Sequence, residues 1–142
     1  MNHLITKFDE MDRVFNSMWG NAPTANRNGD TEEPVTLRPR VDVFESEKDY
    51  VLEADLPGIR KDDLKVEVER NVLSIEGERK SEHGEDLHGV HLERAGSARF
   101  VRRFTLGREV EPDKIEARFA DGVLRLTVPK KEQALPRRIN VA

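Results

Sequence analysis

Between Arg40 and Pro129 the chain alternates apolar and polar residues in steps of two. Val41 and Val43 share one side of an extended segment. Tyr50, Leu52, Ala54 and Leu56 line the next, then Leu64, Val66 and Val68, then Leu73 and Ile75. After a gap come Phe100, Phe104 and Leu106, then Ile115, Ala117 and Phe119, and last Leu124, Leu126 and Val128. Successive side chains of a strand point to opposite faces, so each run predicts a strand with one buried face. Turn formers separate the runs: Ser46 to Asp49, Pro57-Gly58, Arg70-Asn71, Gly107 to Pro112 and Asp121-Gly122. Asp-Gly takes up the positive φ angles of a two-residue turn, so Ala117 to Pro129 reads as a β-hairpin. Many short, half-buried strands with no helical period between them predict an all-β domain, a two-sheet sandwich.

The alternation lapses between Glu78 and Phe100. Arg79 to Gly89 is charged, with Gly84 and three of the four histidines in or near it. A loop of that length in a small sandwich is usually functional or disordered. His88 to Leu92 regains weak strand character, so the loop is expected to carry a short strand of its own. Such a strand needs an edge to pair with, and a neighbouring subunit is a candidate.

Both ends of the chain differ from this middle. Leu4, Phe8, Met11, Phe15 and Met18 recur at steps of four and three, an apolar stripe along one helical face with Trp19 beside it. The stripe suits a helix docked on its own domain or in a short coiled coil. It equally suits a sticky surface, partly buried in an oligomer and partly offered to other proteins. Asn21 to Pro39 is polar and reads as a flexible linker. At the far end, Ile139 and Val141 project from the same side of an extended segment that has no core of its own. They need a groove elsewhere, which points to self-assembly. The expected organisation is an arm and linker over 1–39, a sandwich over 40–130 and an extension over 131–142.

Composition narrows the function. A chain of 142 residues with 36% hydrophobic and 37% charged residues has room for one folded domain plus tails. A net charge of −4 argues weakly against nucleic acid or anionic membrane as partner. With no cysteine, a disulfide, a thiolate nucleophile and a cysteine zinc site are all excluded. No apolar run approaches a membrane span, and the N-terminus lacks the order of a secretory signal, so a cytoplasmic location is expected.

Little in the chain suggests catalysis or a metal or organic cofactor. There is no Gly-rich phosphate loop. Ser81, His83 and Asp86 have the residue types of a triad but lie together in one polar loop, whereas a working triad is assembled on a rigid scaffold. His83, His88 and His91 match no compact metal-binding spacing, and as loop histidines they are expected to be solvated. A milder reading has them loosen a subunit contact when they protonate. Arg102 stands out because it shares a strand face with Phe100, Phe104 and Leu106, while Arg103 points away. A guanidinium on an apolar face needs a partner. Snorkelling at a strand end is one answer; an ion pair across a subunit interface, with Glu93 or Asp86, is the other.

Four motifs occur in a fixed order: Ala54-Asp55-Leu56-Pro57-Gly58, Phe100 to Phe104, Gly122-Val123-Leu124 before Thr127-Val128-Pro129, and the terminal Ile139-Asn140-Val141. The ordered set resembles the small heat-shock proteins, the α-crystallin-related chaperones, in their bacterial and plant branch. The resemblance covers about Arg40 to Lys130 and extends to the terminal motif. It implies an immunoglobulin-like sandwich whose subunits dimerise by strand exchange. The loop strand, with His88, Val90, His91, Leu92 and Glu93, would pair with the partner's edge near Val41, Val43 and Phe44. Arg102 coincides with the family's arginine in the corresponding strand. Ile139 and Val141 would enter a groove between Leu64, Val66 and Val68 on one edge strand and Ile115, Ala117 and Phe119 on another, joining dimers into larger homo-oligomers.

The activity implied is ATP-independent holding of partly unfolded proteins, with the arm (Leu4, Phe8, Met11, Phe15, Met18, Trp19) and the vacated groove as client-binding surface. ATP-dependent refolding chaperones would be downstream partners. The competing class is a monomeric co-chaperone-like module of related fold, which the terminal motif and long loop speak against. Two departures matter. Val141 replaces the commoner Ile, which loses one buried methylene, worth about 0.8 kcal/mol. The extension also ends at Ala142 with almost no solubilising tail, so a smaller or more labile assembly is expected.

Overall fold

The computed structural model describes residues 34–132 and 138–142. Eight strands follow one another: β1 (Val35–Leu37), β2 (Val41–Glu45), β3 (Asp49–Asp55), β4 (Leu64–Glu69), β5 (Val72–Arg79), β6 (Ala98–Thr105), β7 (Glu116–Ala120) and β8 (Val123–Pro129). They form two four-stranded sheets, one in the order β1-β6-β5-β4 and the other β2-β3-β8-β7. All pairings are antiparallel except β1 with β6. The fold is therefore the immunoglobulin-like sandwich expected from the alternation and the resemblance.

Register places the apolar residues where the alternation put them. Tyr50, Leu52 and Ala54 lie opposite Val128, Leu126 and Leu124, and all but Tyr50 are buried. On the facing sheet Leu73 is opposite Phe104, and Ile75 is opposite Arg102. Leu52, Leu73, Ile75, Phe104, Leu124 and Leu126 are almost wholly removed from water and make the centre of the core. Val101 is also buried but lies outside this cluster, on the outer face opposite Glu76. There Glu76 joins Arg99 at 3.1 Å and Arg103 at 3.5 Å, so ion pairs flank the valine. Burial pushes the Glu76 carboxyl up, but the hydrogen bonds and charges of the two arginines outweigh it and hold the group below its ordinary value.

The turns follow their chemistry. Asp121 (φ 53°) and Gly122 (φ 75°) adopt the paired left-handed conformation of a tight hairpin turn. Arg70 (φ 50°) and Asn71 (φ 62°) do the same between β4 and β5, although Arg is poorly suited to it. Ser46 closes the β2–β3 turn by accepting the Asp49 N–H at its Oγ (3.0 Å).

One expectation needs correction, and another is not met within a single chain. Val35–Leu37, inside the stretch read as a linker, forms β1 and pairs in parallel with Ala98–Phe100. Leu37 packs on the core, so the sandwich begins before Arg40. Three residues were too short a run to show alternation. His88 to Leu92 is not a strand here. Within the single chain these residues pair with none of the sheet edges, and a lone strand would leave its backbone hydrogen-bonding groups open.

Candidate functional site: the two margins of the sandwich

The sheet orders define two margins. β4 ends one sheet and β7 ends the other. β1 and β2, the opposite ends, are joined by only three residues, so they bound the other margin together and leave β4 and β7 to face across the first. Leu64 and Val66 of β4, with Ile115 and Phe119 beside and on β7, pack half-buried against the same core. Val68 of β4 and Ala117 of β7 are exposed. The expected groove residues thus lie on the two end strands of this margin, and Leu64, Val66, Ile115 and Phe119 pack partly buried against the core. Their alternating neighbours Lys65, Glu67 and Glu69 on β4, and Glu116 and Arg118 on β7, face water.

The anchor expected to fill such a groove is free in the single chain: Ile139 is 83% exposed and Val141 94%. Both are large apolar groups standing in solvent.

At the other margin β2 pairs with β3 on one side only. Val41 and Val43 are half-buried, whereas Phe44 faces outward, 54% exposed. The long loop carries Leu87, Val90 and Leu92, all exposed, Val90 at 88%. His91 Nε2 lies 3.1 Å from Glu93 Oε1 at the surface. The structure of one chain therefore presents an edge and an uncovered loop, and it does not bring His88, Val90, His91, Leu92 and Glu93 to β2.

Arg102 lies on the inner face as the alternation required. Its Nη1 donates to the Pro39 carbonyl at 3.0 Å, and its guanidinium carbon sits 5.1 Å from the centre of the Phe104 ring. The contact is possible because β1 ends at Leu37 and leaves a carbonyl beside β6. The guanidinium is partly buried and tied to its own chain, so simple snorkelling does not describe it.

Other polar groups shape the site without having been singled out in the sequence. Arg79 donates from Nη1 to the Pro57 carbonyl (2.9 Å) and from Nη2 to the Ala95 carbonyl (2.8 Å), while its guanidinium lies 5.5 Å from the Phe100 ring centre. It thereby staples the Pro57-Gly58 turn to the base of the long loop. The same neck is closed by the Ser81 N–H donating to Ser97 Oγ (3.2 Å) and by an Arg60–Glu82 pair at 3.2 Å. In the sequence Arg79 stands out only as the first residue of the charged stretch Arg79 to Gly89. Ser81 Oγ and His83 Nε2 lie 2.8 Å apart at the surface. Among the described residues no carboxylate hydrogen-bonds the other nitrogen of that ring, so the third member of a triad is not in place. Among the described residues no three His, Asp or Glu side chains converge on a metal position, and no helix there is long and apolar enough to cross a membrane. The arm residues Leu4, Phe8, Met11, Phe15, Met18 and Trp19 lie outside the described residues.

Comparison with known proteins agrees with this architecture. Residues 42–142 match the model of the Hsp20/alpha crystallin family. The chain is 32% identical over 133 residues to small heat shock protein C2 of Rickettsia felis, covering 94% of this chain and 85% of that one. It is 39% identical over 115 residues to an 18.1 kDa class I heat shock protein of Oryza sativa subsp. japonica, covering 80% and 71%. Among solved structures, a small heat-shock protein from Xylella fastidiosa superposes with a TM-score of 0.61 at 42% identity, covering 73% of this chain and 95% of that one. Heat shock protein 16.0 from Schizosaccharomyces pombe gives 0.57 at 33% identity, covering 75% and 98%. The sandwich with its two open margins, the ordered motifs and these matches together establish that the chain belongs to the Hsp20/alpha crystallin family of small heat-shock proteins.

Proposed function

We propose that the protein is an ATP-independent holdase: it binds partly unfolded proteins through apolar surface and slows their aggregation under heat or other stress. One observation carries the reading. The chain carries partly buried apolar residues on and beside its end strands β4 and β7, and at the same time holds Ile139 and Val141 almost fully in solvent. Exposed apolar groups and a partly buried apolar margin on one molecule can cover each other between copies, and either can cover a client. In the resting assembly, Ile139 and Val141 of one subunit occupy the groove of another, and β2 receives the long-loop strand of a partner, with Arg102 at that interface. The high-order structure described for the Xylella fastidiosa relative supports assembly of this kind.

Heating loosens these small contacts. The groove, the anchors and the arm residues Leu4, Phe8, Met11, Phe15, Met18 and Trp19 then compete for the apolar surface that a client would otherwise bury in its own aggregates. No hydrolysis is needed, because the binding is mass action on the unfolded state. Work of refolding passes to ATP-dependent chaperones. Function in the cytoplasm, without nucleic acid, membrane or cofactor, completes the reading.

The test is light scattering from a heat-labile client. Substoichiometric to equimolar protein should suppress the rise in scattering equally with and without ATP. Suppression absent at a several-fold excess of subunits, or a chain that runs as a monomer at all concentrations, would sink the reading.

A further inference from the structure

Lys130 directly follows β8, and its side chain turns back onto the sandwich. Nζ donates to Glu45 Oε1 at 2.8 Å and to the Ser46 carbonyl at 2.8 Å, and it lies 4.9 Å from the centre of the Tyr50 ring. Only 13% of the side chain is exposed. A lysine is rarely covered this far unless it is paired, and ordering its long stem has an entropic cost. The backbone is held at the same place: the Lys130 N–H donates to the Lys48 carbonyl (2.8 Å), and the Lys131 N–H donates to the Glu109 carbonyl (2.7 Å). Beyond this point, the described residues 138–142 are all exposed. The sandwich thus releases the extension at one fixed spot, pinned to the turn that follows β2.

We propose that Lys130 is a positioning residue for the C-terminal extension, fixing the point and heading from which Ile139 and Val141 set out and so which groove of another copy they reach. This rests on the anchoring reading above. Ile139 lies eight residues beyond Lys131, which limits its reach from the clamp to about 26–29 Å. If loss of this tie let the backbone bonds of Pro129, Lys130 and Lys131 open as well, back to Val128, the tether would be eleven residues and the reach about 36–40 Å. Effective concentration at any one groove would fall only to about 0.6 of its value, from the −3/2 power of length. Opening the clamp therefore barely weakens an anchor but widens the set of neighbours that it can engage. The consequence is a broader range of assembly sizes rather than loss of assembly.

The experiment uses the full chain. Lys130→Gln and Glu45→Gln each cut the same tie from opposite sides, and Lys61→Gln, at an exposed position outside the clamp, is the control. Native mass spectrometry should show at least a doubling of the number of populated stoichiometries in either variant. The double variant should be no broader than the broader single, and the control should match the parent chain. Because the chain has no cysteine, a nitroxide on Glu132→Cys reports the exit directly. Its mobility should rise in Lys130→Gln with the melting midpoint of the sandwich shifted by no more than a few degrees. If deleting residues 138–142 collapses the assembly while Lys130→Gln and Glu45→Gln leave the size distribution unchanged, the role of Lys130 is refuted and anchoring stands. If the deletion leaves the assembly intact, anchoring itself falls and takes this role with it.

Discussion

Replacing Ile139 and Val141 together by Ala removes the apolar groups of the anchor while leaving the backbone able to extend. Ile→Ala deletes three carbons and Val→Ala two; at about 0.8 kcal/mol per buried methylene, full burial would make the loss about 4 kcal/mol per anchor. The groove is not a closed core, because Val68 and Ala117 are exposed even before an anchor arrives. Burial of about half gives a loss of about 2 kcal/mol. Each anchor contact should thus weaken by about 30-fold, and by about 1,000-fold at the upper limit. Dilution through size-exclusion chromatography with light scattering reads this directly, as the concentration at which the assembly falls to dimers. The double variant should dissociate at a concentration at least an order of magnitude higher. Val141→Ala combined with Val68→Ala should lose less than the sum of the two singles, since both remove one contact. An assembly that dissociates at the parent concentration in the Ile139→Ala, Val141→Ala variant would refute the groove argument, whatever the chaperone assay shows.

Three further outcomes test the domain itself. Arg70→Asn should stabilise the sandwich by up to about 1 kcal/mol, because Arg70 sits at φ 50° where Asn is tolerated; urea unfolding of an assembly-free variant measures it. Gly77→Ala should cost about 1–3 kcal/mol in the same assay, since an added Cβ would lie 2.6 Å from the Cδ1 of buried Ile59 and force it to move. The Glu76 carboxyl is held below its ordinary 4.5, so the stability it lends is present above that pH and lost as pH falls through the lowered native value. Parent chain and Glu76→Gln should differ in melting midpoint at pH 6–7 and converge as pH drops well below 4.5; a gap that persists unchanged into acid would contradict this.

The sandwich was legible in the sequence because its strands bury one face each, and half-burial writes a period of two. Leu52, Ala54, Leu124, Leu126 and their neighbours state that pattern openly. The Asp121-Gly122 turn was equally plain, since few residue pairs accept two positive φ angles in succession. β1 escaped because three residues cannot establish a period, and its place is set by Ser97, whose carbonyl accepts the Val35 N–H at 3.1 Å. Arg79, Glu76 and Lys130 escaped for another reason. A charged residue in a strand reads as solvated, and only three-dimensional neighbours reveal that each of these is clamped. Arg102 is the exception: apolar residues at both i−2 and i+2 made its position anomalous before any partner was known. The groove became recognisable only through the resemblance, because β4 and β7 are far apart in sequence and nothing local says that they end their sheets on the same margin.

The two margins differ in a way that separates two kinds of association. An open strand edge is a hazard unless charge, shortness or cover discourages a passing strand. Along β4 every outward residue is charged, Lys65, Glu67 and Glu69, and along β7 Glu116 and Arg118 do the same work. These side chains flank the backbone on the water side and discourage a flat apolar strand from pairing there. The inward side is apolar and half-covered, which in the proposed assembly suits a pair of isolated knobs spaced i, i+2, as Ile139 and Val141 are. β2 is built otherwise, with exposed Phe44 on the outward face beside Val51 of β3. An apolar residue on each face favours a full strand laid alongside, with backbone hydrogen bonds as the main adhesive and side chains as selectors. Strand addition orders many residues at once and should be the tighter and slower contact. Knob insertion buries two side chains and should be the weaker and faster one. On warming, the β4–β7 margin should therefore open before the β2 margin, leaving dimers with bare grooves as the first species available to a client.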